Sequence, residues 1–459
     1  MKKTYELVDF VADLKYKNLS GNVVDCTKKQ VFDTLATIVG GSTKEGISPL
    51  YEVVKDWGGK KESSVAVFGG KFPAPNAALV NGAMAHALDY DDIHDTAVIH
   101  SACVAVPSAL AVAQSVGAVS GKDFIAAVAA GVDIHCRFGL ATKKAKPSIP
   151  EGGWHYTPLF GYFSSAAIAG KLYGFDREKL INALGIAYHQ CAGNLQAVVD
   201  GSVMKRIGPG LAARGGITAA LMAGKGITGA KDIVESEIGI FKLYHAGYDE
   251  KALLDGLGQR FETTVNSFKP YPCCRGVHPF LDGTLELVKK NDIKPTEVEE
   301  IIPVVSVVNN SLCDPLDVKA NPRNVVDSQF SIPWALGCAV VRRKAGLDEF
   351  TDTAIQDESV RRMARKVRAE LDSSSTDDLI GQSVKVKIKT NRGMFEITTG
   401  PILGSPENTL TFDMLEEKLR DCAAHAARVI PEKNLKQVID LVRGLEEVKD
   451  VGKIISLLA

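Results

Sequence analysis

Residues 86–100, HALDYDDIHDTAVIH, place four aspartates and three histidines in an alanine-rich region of the chain. Asp91, Asp92 and Asp95 form a DDxxD pattern. On a helix, positions i and i+4 share one face, where two carboxylates can hold Mg²⁺ as in all-α isoprenoid synthases. Such a site requires a second acidic cluster on a facing helix, and the helical half of the sequence contains no second DDxxD. The alternative is a polar loop or helix start whose aspartates cap the helix and face water.

His155 is a second candidate for chemistry. It lies in GGWHYTP, a glycine- and proline-containing segment in which a histidine is neither needed for packing nor explained as a helix residue. A histidine near its free pKa of ~6.5 can give or take a proton at neutral pH. Cations follow at Lys205, Arg206, Lys269 and Arg275. Because arginine clamps a carboxylate with two donors and lysine acts as a point charge, a cluster of these residues suits a polyanionic substrate. A solvated surface position is the alternative for each.

Two kinds of structure must position these residues. From Thr27 to about Leu253, apolar residues recur at helical spacing and glycines mark the ends of successive helices, which predicts an all-α domain. From about Asn266 the pattern changes: EEIIPVVSVV is β-branched, and VKVKIKTNRGMFEIT alternates apolar residues with lysines before an Asn-Arg-Gly turn. This alternation predicts a hairpin with one face in water. Helical patterns in GTLELVKKND and SQFSIPWALGCAVVRR make this part α+β.

The chain length indicates more than one domain, because 459 residues exceed the size of one ordinary core. After GPILGSPENTLTF the sequence returns to helical patterns. We therefore predict a mainly α fold, in which a large all-α helical domain carries an inserted α+β lid domain. The predicted boundaries are 1–265 for the first helical part, 266–401 for the lid domain and 402–459 for the C-terminal helices.

Composition argues against several classes of function. The 54 Lys and Arg residues are balanced by 55 Asp and Glu residues, so no global field favours a nucleic acid or an anionic membrane. Acidic residues interrupt the N-terminal MKKTYELVDFVADLKYKN before a signal peptide can form, and no window reaches the ~18 uninterrupted apolar residues of a membrane span. Nine cysteines without zinc-ligand spacing indicate reduced thiols. The sequence contains no P-loop, GxSxG elbow or full dinucleotide fingerprint. We predict a cytoplasmic protein with neither a membrane nor a nucleic-acid partner.

Five segments, which run from about residue 80 to 410, resemble the MmgE/PrpD family in the family's order. VNGAMAHALDYDDIHDTAVIHSA is similar to its first motif, in which H-x-L-D-[FY]-D-D-x-H precedes a histidine-serine pair. GWHYTPLFGYFSSAAIAGKLYGFD is similar to its histidine segment, and MKRIGPGLAARGGITAALMAGKGITG to its lysine-bearing helix. FKPYPCCRGVHPFLDG resembles the start of the second domain, and GSPENTL the link back to the helices.

The resemblance implies a homodimeric enzyme that uses no metal, flavin or iron–sulfur cofactor and acts on small di- and tricarboxylates. The family's reactions are 2-methylcitrate dehydration, cis-aconitate decarboxylation and iminodisuccinate epimerisation. Each of these gains or loses a proton at a carbon next to a carboxylate. The protein must therefore supply an acid or base and cations that stabilise the developing charge.

The same resemblance implies which residues would do this. His155 or His100 would move the proton, Asp89 would orient a histidine or hold a lysine, and Lys205 and Lys269 would bind carboxylates. Six further residues are predicted to contact the substrate: Arg275, His278, Arg206, Tyr156, Asp92 and His94.

Three features depart from the family's decarboxylases. Ile93 stands where decarboxylating and dehydrating relatives often carry threonine, the spacing from Asp89 to His100 is one residue longer, and the decarboxylases' lid tyrosine has no clear counterpart. We therefore predict dehydration of a 2-methylcitrate-like hydroxy acid. Epimerisation or isomerisation of an iminodisuccinate-like dicarboxylate is the second alternative, and cis-aconitate-type decarboxylation is the third. Two alternatives belong to other functional classes: a catalytically silent binding protein of the same fold and a Mg-dependent isoprenoid synthase.

Overall fold

The computed structural model describes residues 2–142, 153–245, 247–372 and 383–459. The chain forms two compact units, one made of the residues up to Phe268 together with Thr411–Ala459, the other of Lys269–Leu410. The sequence predicts 266–401 for the second unit. The first unit is almost entirely helical, whereas the second combines helices with a four-stranded sheet. The prediction of a mainly α fold with an α+β part is confirmed.

Long helices form the frame of the first unit, and polar side chains cap several of them. Ser20, Ser120 and Asp176 each accept a hydrogen bond from the backbone N–H three residues further on, which satisfies a donor that the first helical turn leaves unpaired. Two short strands, β1 (Ser63–Ser64) and β2 (Lys71–Phe72), pair antiparallel. Up to Phe268 the helices are α1 (Lys3–Asp13), α2 (Gly21–Gly41), α3 (Ile47–Trp57), α4 (Ala74–His86), α5 (Ala102–Val116), α6 (Gly121–Ala141), α7 (Tyr156–Leu172), α8 (Arg177–Gln190), α9 (Gln196–Val199), α10 (Met204–Gly224), α11 (Ile240–Tyr244) and α12 (Glu250–Leu254).

Glycines let α10 pack closely against α4 and α7. A Cβ atom on Gly210 would lie 2.1 Å from the carbonyl oxygen of Leu79 in α4, and one on Gly216 would lie 2.6 Å from backbone atoms of α7. Because Cβ atoms do not approach other atoms so closely, any side chain larger than hydrogen would push the helices apart. These contacts fix α10, which carries Lys205 near its start, against the helix that ends at His86.

The helix α6 has the length and composition of a membrane span, and it is the one helix of the described residues to do so. Its most apolar 18-residue stretch is 94% buried inside the protein. Asp133 and Arg137 are completely buried in this helix and form an ion pair of 2.6 Å, while Arg137 also donates to backbone carbonyls of residues 253–260. A buried core helix satisfies the same criteria as a span, and α6 packs in this structure as a core helix.

The second unit contains a mixed sheet with strand order β4–β3–β5–β6. In chain order its elements are α13 (His278–Lys290), β3 (Val298–Val305), α14 (Val307–Asn310), α15 (Leu316–Lys319), α16 (Val325–Gln329), α17 (Ile332–Arg342), α18 (Glu358–Ala364), β4 (Glu370–Leu371), β5 (Lys385–Thr390) and β6 (Gly393–Thr398). The strand β3 pairs parallel with β4 and antiparallel with β5. The predicted hairpin is confirmed: β5 and β6 pair antiparallel across a two-residue turn between Thr390 and Gly393, and Val386 and Ile388 are buried.

The chain returns to the first unit through α19 (Phe412–Ala424), α20 (Glu432–Arg443) and α21 (Gly452–Leu457). Lys418 of α19 is buried, and its Nζ donates to Oδ1 of Asp33 in α2 at 2.6 Å and to the carbonyl oxygen of Tyr90 at 2.7 Å. Tyr90 belongs to the segment that links α4 and α5. The C-terminal helix α19 therefore fixes this segment next to Asp91.

Candidate active site

The segment between α4 and α5 folds back on itself and brings its two ends together. Asp89 and Val98 have φ angles of 53° and 55°, a left-handed backbone conformation that residues other than glycine rarely adopt. His86 is the last residue of α4, and His100 lies two residues before α5. Their ring centroids are 4.7 Å apart, with an angle of 65° between the ring planes. Histidines fourteen positions apart in sequence are thus in direct contact.

Asp91 lies at the centre of this cluster. Its Oδ2 atom is 2.8 Å from Nδ1 of His86 and 3.3 Å from Nδ1 of His100. The side chains of His86 and Asp91 are completely buried, whereas that of His100 is 12% exposed. An ionised carboxylate only accepts hydrogen bonds, so the hydrogen bond to Asp91 assigns the ring proton of His86 to Nδ1. Among the described residues Nδ1 of His100 has no hydrogen-bond partner, but the carboxylate 3.3 Å away favours a proton on that atom as well. In a neutral ring of this tautomer, Nε2 carries the lone pair that can accept a proton.

Burial and neighbouring charges set the protonation of this pair. Burial lowers the pKa of His86 to about 4, although the charge of Asp91 opposes that shift. Burial alone would raise the pKa of Asp91, but His86 and His100 hold it well below its usual range. At neutral pH the pair is therefore a carboxylate beside a neutral imidazole.

His155 is the third histidine of the cluster. It precedes α7, where its backbone N–H donates to the carbonyl oxygen of Gly193 at 3.2 Å, and its ring centroid lies 6.1 Å from that of His86. Burial, followed by the charges of His86, Lys205 and His100, lowers the pKa of His155 well below the ordinary histidine value. His155 is therefore neutral at pH 7 and can accept a proton.

Lys205 provides the cation next to the histidines. It lies in the first turn of α10, and its Nζ is 2.9 Å from Oδ1 of Asp89. The side chain of Lys205 is 24% exposed and that of Asp89 is 12% exposed, so both can be reached from solvent. Four of the five residues predicted to be catalytic, namely His155, His100, Asp89 and Lys205, are therefore close together in the first unit.

Asp92 and His94 belong to the same segment, but their polar atoms bind other protein groups. His94 has both ring nitrogens occupied: Nε2 lies 3.1 Å from Oε2 of Glu262, and Nδ1 accepts from the backbone N–H of Ala97 at 3.0 Å. Four donors of the first unit surround the buried carboxylate of Asp92: Gln30, Ser101, Ala102 and Asn266. Both residues anchor the segment in the core, and the structure does not present their side chains to a ligand.

Tyr156 and Arg206 lie next to cluster residues in sequence. Tyr156 is buried, and its ring packs against those of Phe160 and His245, with centroid distances of 5.3 Å and 5.5 Å. Arg206 is partly buried beside Lys205 on α10, and burial lowers its pKa. Of these two residues, Arg206 keeps a partly exposed charge through which it can contact an anion.

Lys269, Arg275 and His278 lie in the second unit and are all buried. Arg275 donates from Nη1 to the carbonyl oxygen of Leu403 at 3.1 Å, and the same Nη1 lies 3.3 Å from Nδ1 of His278. Nε2 of His278 is 3.1 Å from the carbonyl oxygen of Cys273. These contacts hold the start of α13 within its own unit. The roles of Lys269, Arg275 and His278 in catalysis and substrate binding stay predictions.

From the sequence, His86 is not a candidate and Asp91 is one only as a member of the DDxxD pattern, although both belong to the first motif. Their separation of five residues does not match the helical repeat, and His86 ends a helix. Only the left-handed turn at Asp89 directs Asp91 back toward His86. The sequence offers one weak signal for this contact: Asp89, a residue type that tolerates the left-handed conformation, stands two residues before Asp91.

The described residues contain one group with the composition of a metal site: His86, Asp91 and Cys103, whose potential ligand atoms lie within 4.8 Å of one another. A metal would require the thiolate of Cys103 and would compete with the hydrogen bond between His86 and Asp91. Burial and the charges of Asp91 and Asp92 raise the pKa of the Cys103 thiol well above its usual value. The thiol also donates to the carbonyl oxygen of His100 at 3.2 Å. We therefore do not assign these residues as metal ligands.

Comparison with known proteins places both units in one family. Residues 5–252 match the MmgE/PrpD N-terminal domain, and residues 271–446 match the MmgE/PrpD C-terminal domain. The cis-aconitate decarboxylase-like protein oryM of Aspergillus oryzae is 27% identical over 99% of this chain and 97% of its own length. The cis-aconitate decarboxylase of Aspergillus terreus is 26% identical over 99% of this chain and 95% of its own. The cis-aconitate decarboxylase of Homo sapiens is 25% identical over 97% of this chain and 92% of its own.

Proposed function

Because this chain belongs to the MmgE/PrpD family, we propose that it is a lyase that acts on a small tricarboxylate and transfers a proton at a carbon next to a carboxylate. The observation that carries the proposal is the contact of one Asp91 oxygen with Nδ1 of both His86 and His100, close to His155 and Lys205. Relatives named as cis-aconitate decarboxylases, which match nearly the whole chain, support the substrate class.

His155 and His100 suit different proton-transfer roles. His155 is neutral, so it suits the role of a base. His100 is partly exposed and has the Asp91 carboxylate 3.3 Å from its Nδ1, so we assign it the role of the proton donor. Lys205 would exchange Asp89 for a substrate carboxylate and stabilise the enediolate that forms when the adjacent carbon loses a proton.

We favour elimination of water from a 2-methylcitrate-like hydroxy acid, because this reaction uses both a base and an acid. His155 would remove the proton from the carbon next to the carboxylate. The electron pair would then form the carbon–carbon double bond, and the hydroxyl group would leave as water with a proton from His100. The products are an unsaturated tricarboxylate and one water molecule.

Decarboxylation of a cis-aconitate-like substrate is the second candidate, and the names of the relatives favour it. The bond to the departing carboxylate would break, its electron pair would stay on carbon, and His100 would protonate that carbon after carbon dioxide leaves. This reaction needs the donor but no base. The two candidates therefore differ in their requirement for His155.

Proton NMR in D₂O with 2-methylcitrate, citrate, cis-aconitate and iminodisuccinate tests the proposal. We expect an alkene signal from a hydroxy acid if the enzyme is a dehydratase. Loss of cis-aconitate with release of carbon dioxide would establish the second candidate. Deuterium exchange in iminodisuccinate without a new product would show that the protein is an epimerase and not a lyase. No turnover of any tricarboxylate would overturn the proposal.

Two variants test the roles of the histidines on the same panel, and the second separates the candidates. His100→Gln removes the proton donor and should abolish either reaction. His155→Gln should abolish dehydration and spare decarboxylation. Asp95→Asn serves as the control, because Asp95 accepts a hydrogen bond from Ser267 at 2.6 Å and is not part of the histidine cluster.

We also propose that the enzyme is a cytoplasmic homodimer, as the family resemblance and the sequence composition suggest. Light scattering after size-exclusion chromatography should give twice the chain mass of 49.1 kDa. A mass of one chain would contradict the dimer. Fluorescence microscopy of a tagged chain in its native cell tests the compartment.

A further inference from the structure

We infer that His86 is a positioning residue for His100: by binding the shared oxygen of Asp91, it fixes the carboxylate and thereby the tautomer and direction of the His100 ring. The predicted effect on turnover rests on the proposed function. The effect on the His100 tautomer does not, because it can be measured without a substrate.

Burial keeps His86 away from any substrate. Its side chain has no exposed surface, whereas that of His100 is 12% exposed. Among the described residues, Nε2 of His86 has no hydrogen-bond partner. Burying a polar nitrogen without a partner is unfavourable, and an apolar side chain would avoid that cost. The contribution of His86 therefore lies in its Nδ1, which binds Asp91.

The geometry around Asp91 shows how this contribution reaches His100. The Oδ2 atom is 2.8 Å from His86 and 3.3 Å from His100, and of these two contacts only the one with His86 has hydrogen-bond geometry. The two rings also meet edge to face, at 4.7 Å between centroids. Without the donor on His86, the carboxylate can rotate away from His100. The His100 ring then loses both the nearby carboxylate that favours its Nδ1–H tautomer and a packing surface.

A pair of matched substitutions isolates the donor. Asparagine places a side-chain N–H where histidine has Nδ1, and leucine has nearly the same shape without a donor. We therefore expect His86→Asn to keep Asp91 in place and His86→Leu to release it. Thermal unfolding of both variants should be compared first, so that a loss of fold is not mistaken for a loss of positioning.

The first readout is ¹⁵N NMR of histidine-labelled, substrate-free protein at about pH 8, where a free imidazole is neutral. Long-range proton–nitrogen couplings distinguish the two tautomers, and His100→Gln assigns the signal. We expect one Nδ1–H tautomer of His100 in the wild type and in His86→Asn, and a mixture in His86→Leu. A pure Nδ1–H tautomer in His86→Leu would overturn the inference.

The second readout is turnover of the substrate identified by the NMR panel. In His86→Leu, kcat should fall by roughly 10²-fold, the usual contribution of a placed proton donor, with little change in KM. In His86→Asn most of kcat should be retained. An equal loss in both variants would contradict the donor's role. If His86→Leu does not fold, His86→Phe replaces it, since phenylalanine fills the space of the ring and also lacks the Nδ1 donor.

Discussion

A methyl group at Gly210 would test how closely α10 and α4 must pack to form the histidine cluster. In the substitution Gly210→Ala, the new Cβ would lie 2.1 Å from the carbonyl oxygen of Leu79 and 3.0 Å from the backbone nitrogen of Ala83. Ordinary contacts begin at 3.4 Å, so the two helices must separate by at least 1.3 Å at this point. Both atoms that obstruct the methyl group belong to the backbone, which cannot rotate away.

This displacement should reduce stability and activity together. Overpacking a core typically costs about 1–3 kcal/mol, and alanine recovers about 1 kcal/mol of helix propensity relative to glycine. Since the obstruction is backbone, we expect the upper part of this range and a net loss of about 2 kcal/mol in the free energy of unfolding. The helices carry Lys205 and His86, and a misplacement of about 1 Å between reacting groups can lower turnover by about 10²-fold.

Gly208→Ala is the matched control on the same helix. Its Cβ would meet only side-chain atoms of Pro158, at 3.5 Å and 3.6 Å, which are ordinary contacts. This variant should be close to the wild type in stability, because Pro209 restricts the helical conformation of the residue before it and offsets the ~1 kcal/mol of helix propensity that alanine gains. Urea and thermal unfolding by circular dichroism, followed by the turnover assay, compare the three proteins. Equal stability of Gly210→Ala and Gly208→Ala would refute the argument that backbone contact at Gly210 fixes the two helices.

Three further outcomes are expected. Lys418→Met should cost about 3–5 kcal/mol in urea unfolding, because it leaves the Asp33 carboxylate buried without its partner, and Lys418→Met combined with Asp33→Asn should recover part of this loss; no recovery would contradict the pairing. Burial lowers the pKa of His135 to about 4 from the 6.5 of an ordinary histidine. The unfolded chain therefore binds the extra proton between these values, and the stability that His135 contributes is complete above pH 6.5 and lost as the pH falls toward 4. His135→Gln should reduce the acid-induced loss by up to ~3 kcal/mol, and an unchanged pH dependence of the melting temperature would count against this assignment. Dialysis against EDTA should leave turnover intact; activity that disappears and returns with one divalent metal would favour a metal site.

Local patterns were enough to predict most of the fold. The helical spacing before residue 253 and the alternation of Val384, Val386 and Ile388 depend only on near neighbours in sequence, and both correspond to elements of the structure. The boundaries of the second unit differ from the predicted ones by three residues at the start and nine at the end, because the units are defined by packing rather than by local periodicity.

The candidate site depends on contacts that sequence spacing does not encode. The histidines and aspartates of residues 86–100 indicate that this segment can do chemistry. They do not indicate which of these side chains face one another. The return of Asp91 to His86 requires a left-handed residue at position 89, and the clamp on Tyr90 comes from Lys418, 328 positions away. The environment of Asp92 likewise depends on the packing of α2, because that helix carries Gln30, which donates a hydrogen bond to the Asp92 carboxylate.

Adjacent aspartates in this segment have opposite environments, and that difference explains why so many titratable residues occur together. Burial and the charge of Asp91 raise the pKa of Asp92, whose carboxylate is surrounded by amide, hydroxyl and backbone donors. Asp91 has imidazole partners instead, and these hold its pKa well below the usual range. Asp92 and His94 thus anchor the segment in an apolar core, and their hydrogen bonds offset the cost of burying them. That anchoring allows Asp91 to keep its charge directed at His100, because a segment free to move would let water reach the carboxylate and weaken its hold on the ring.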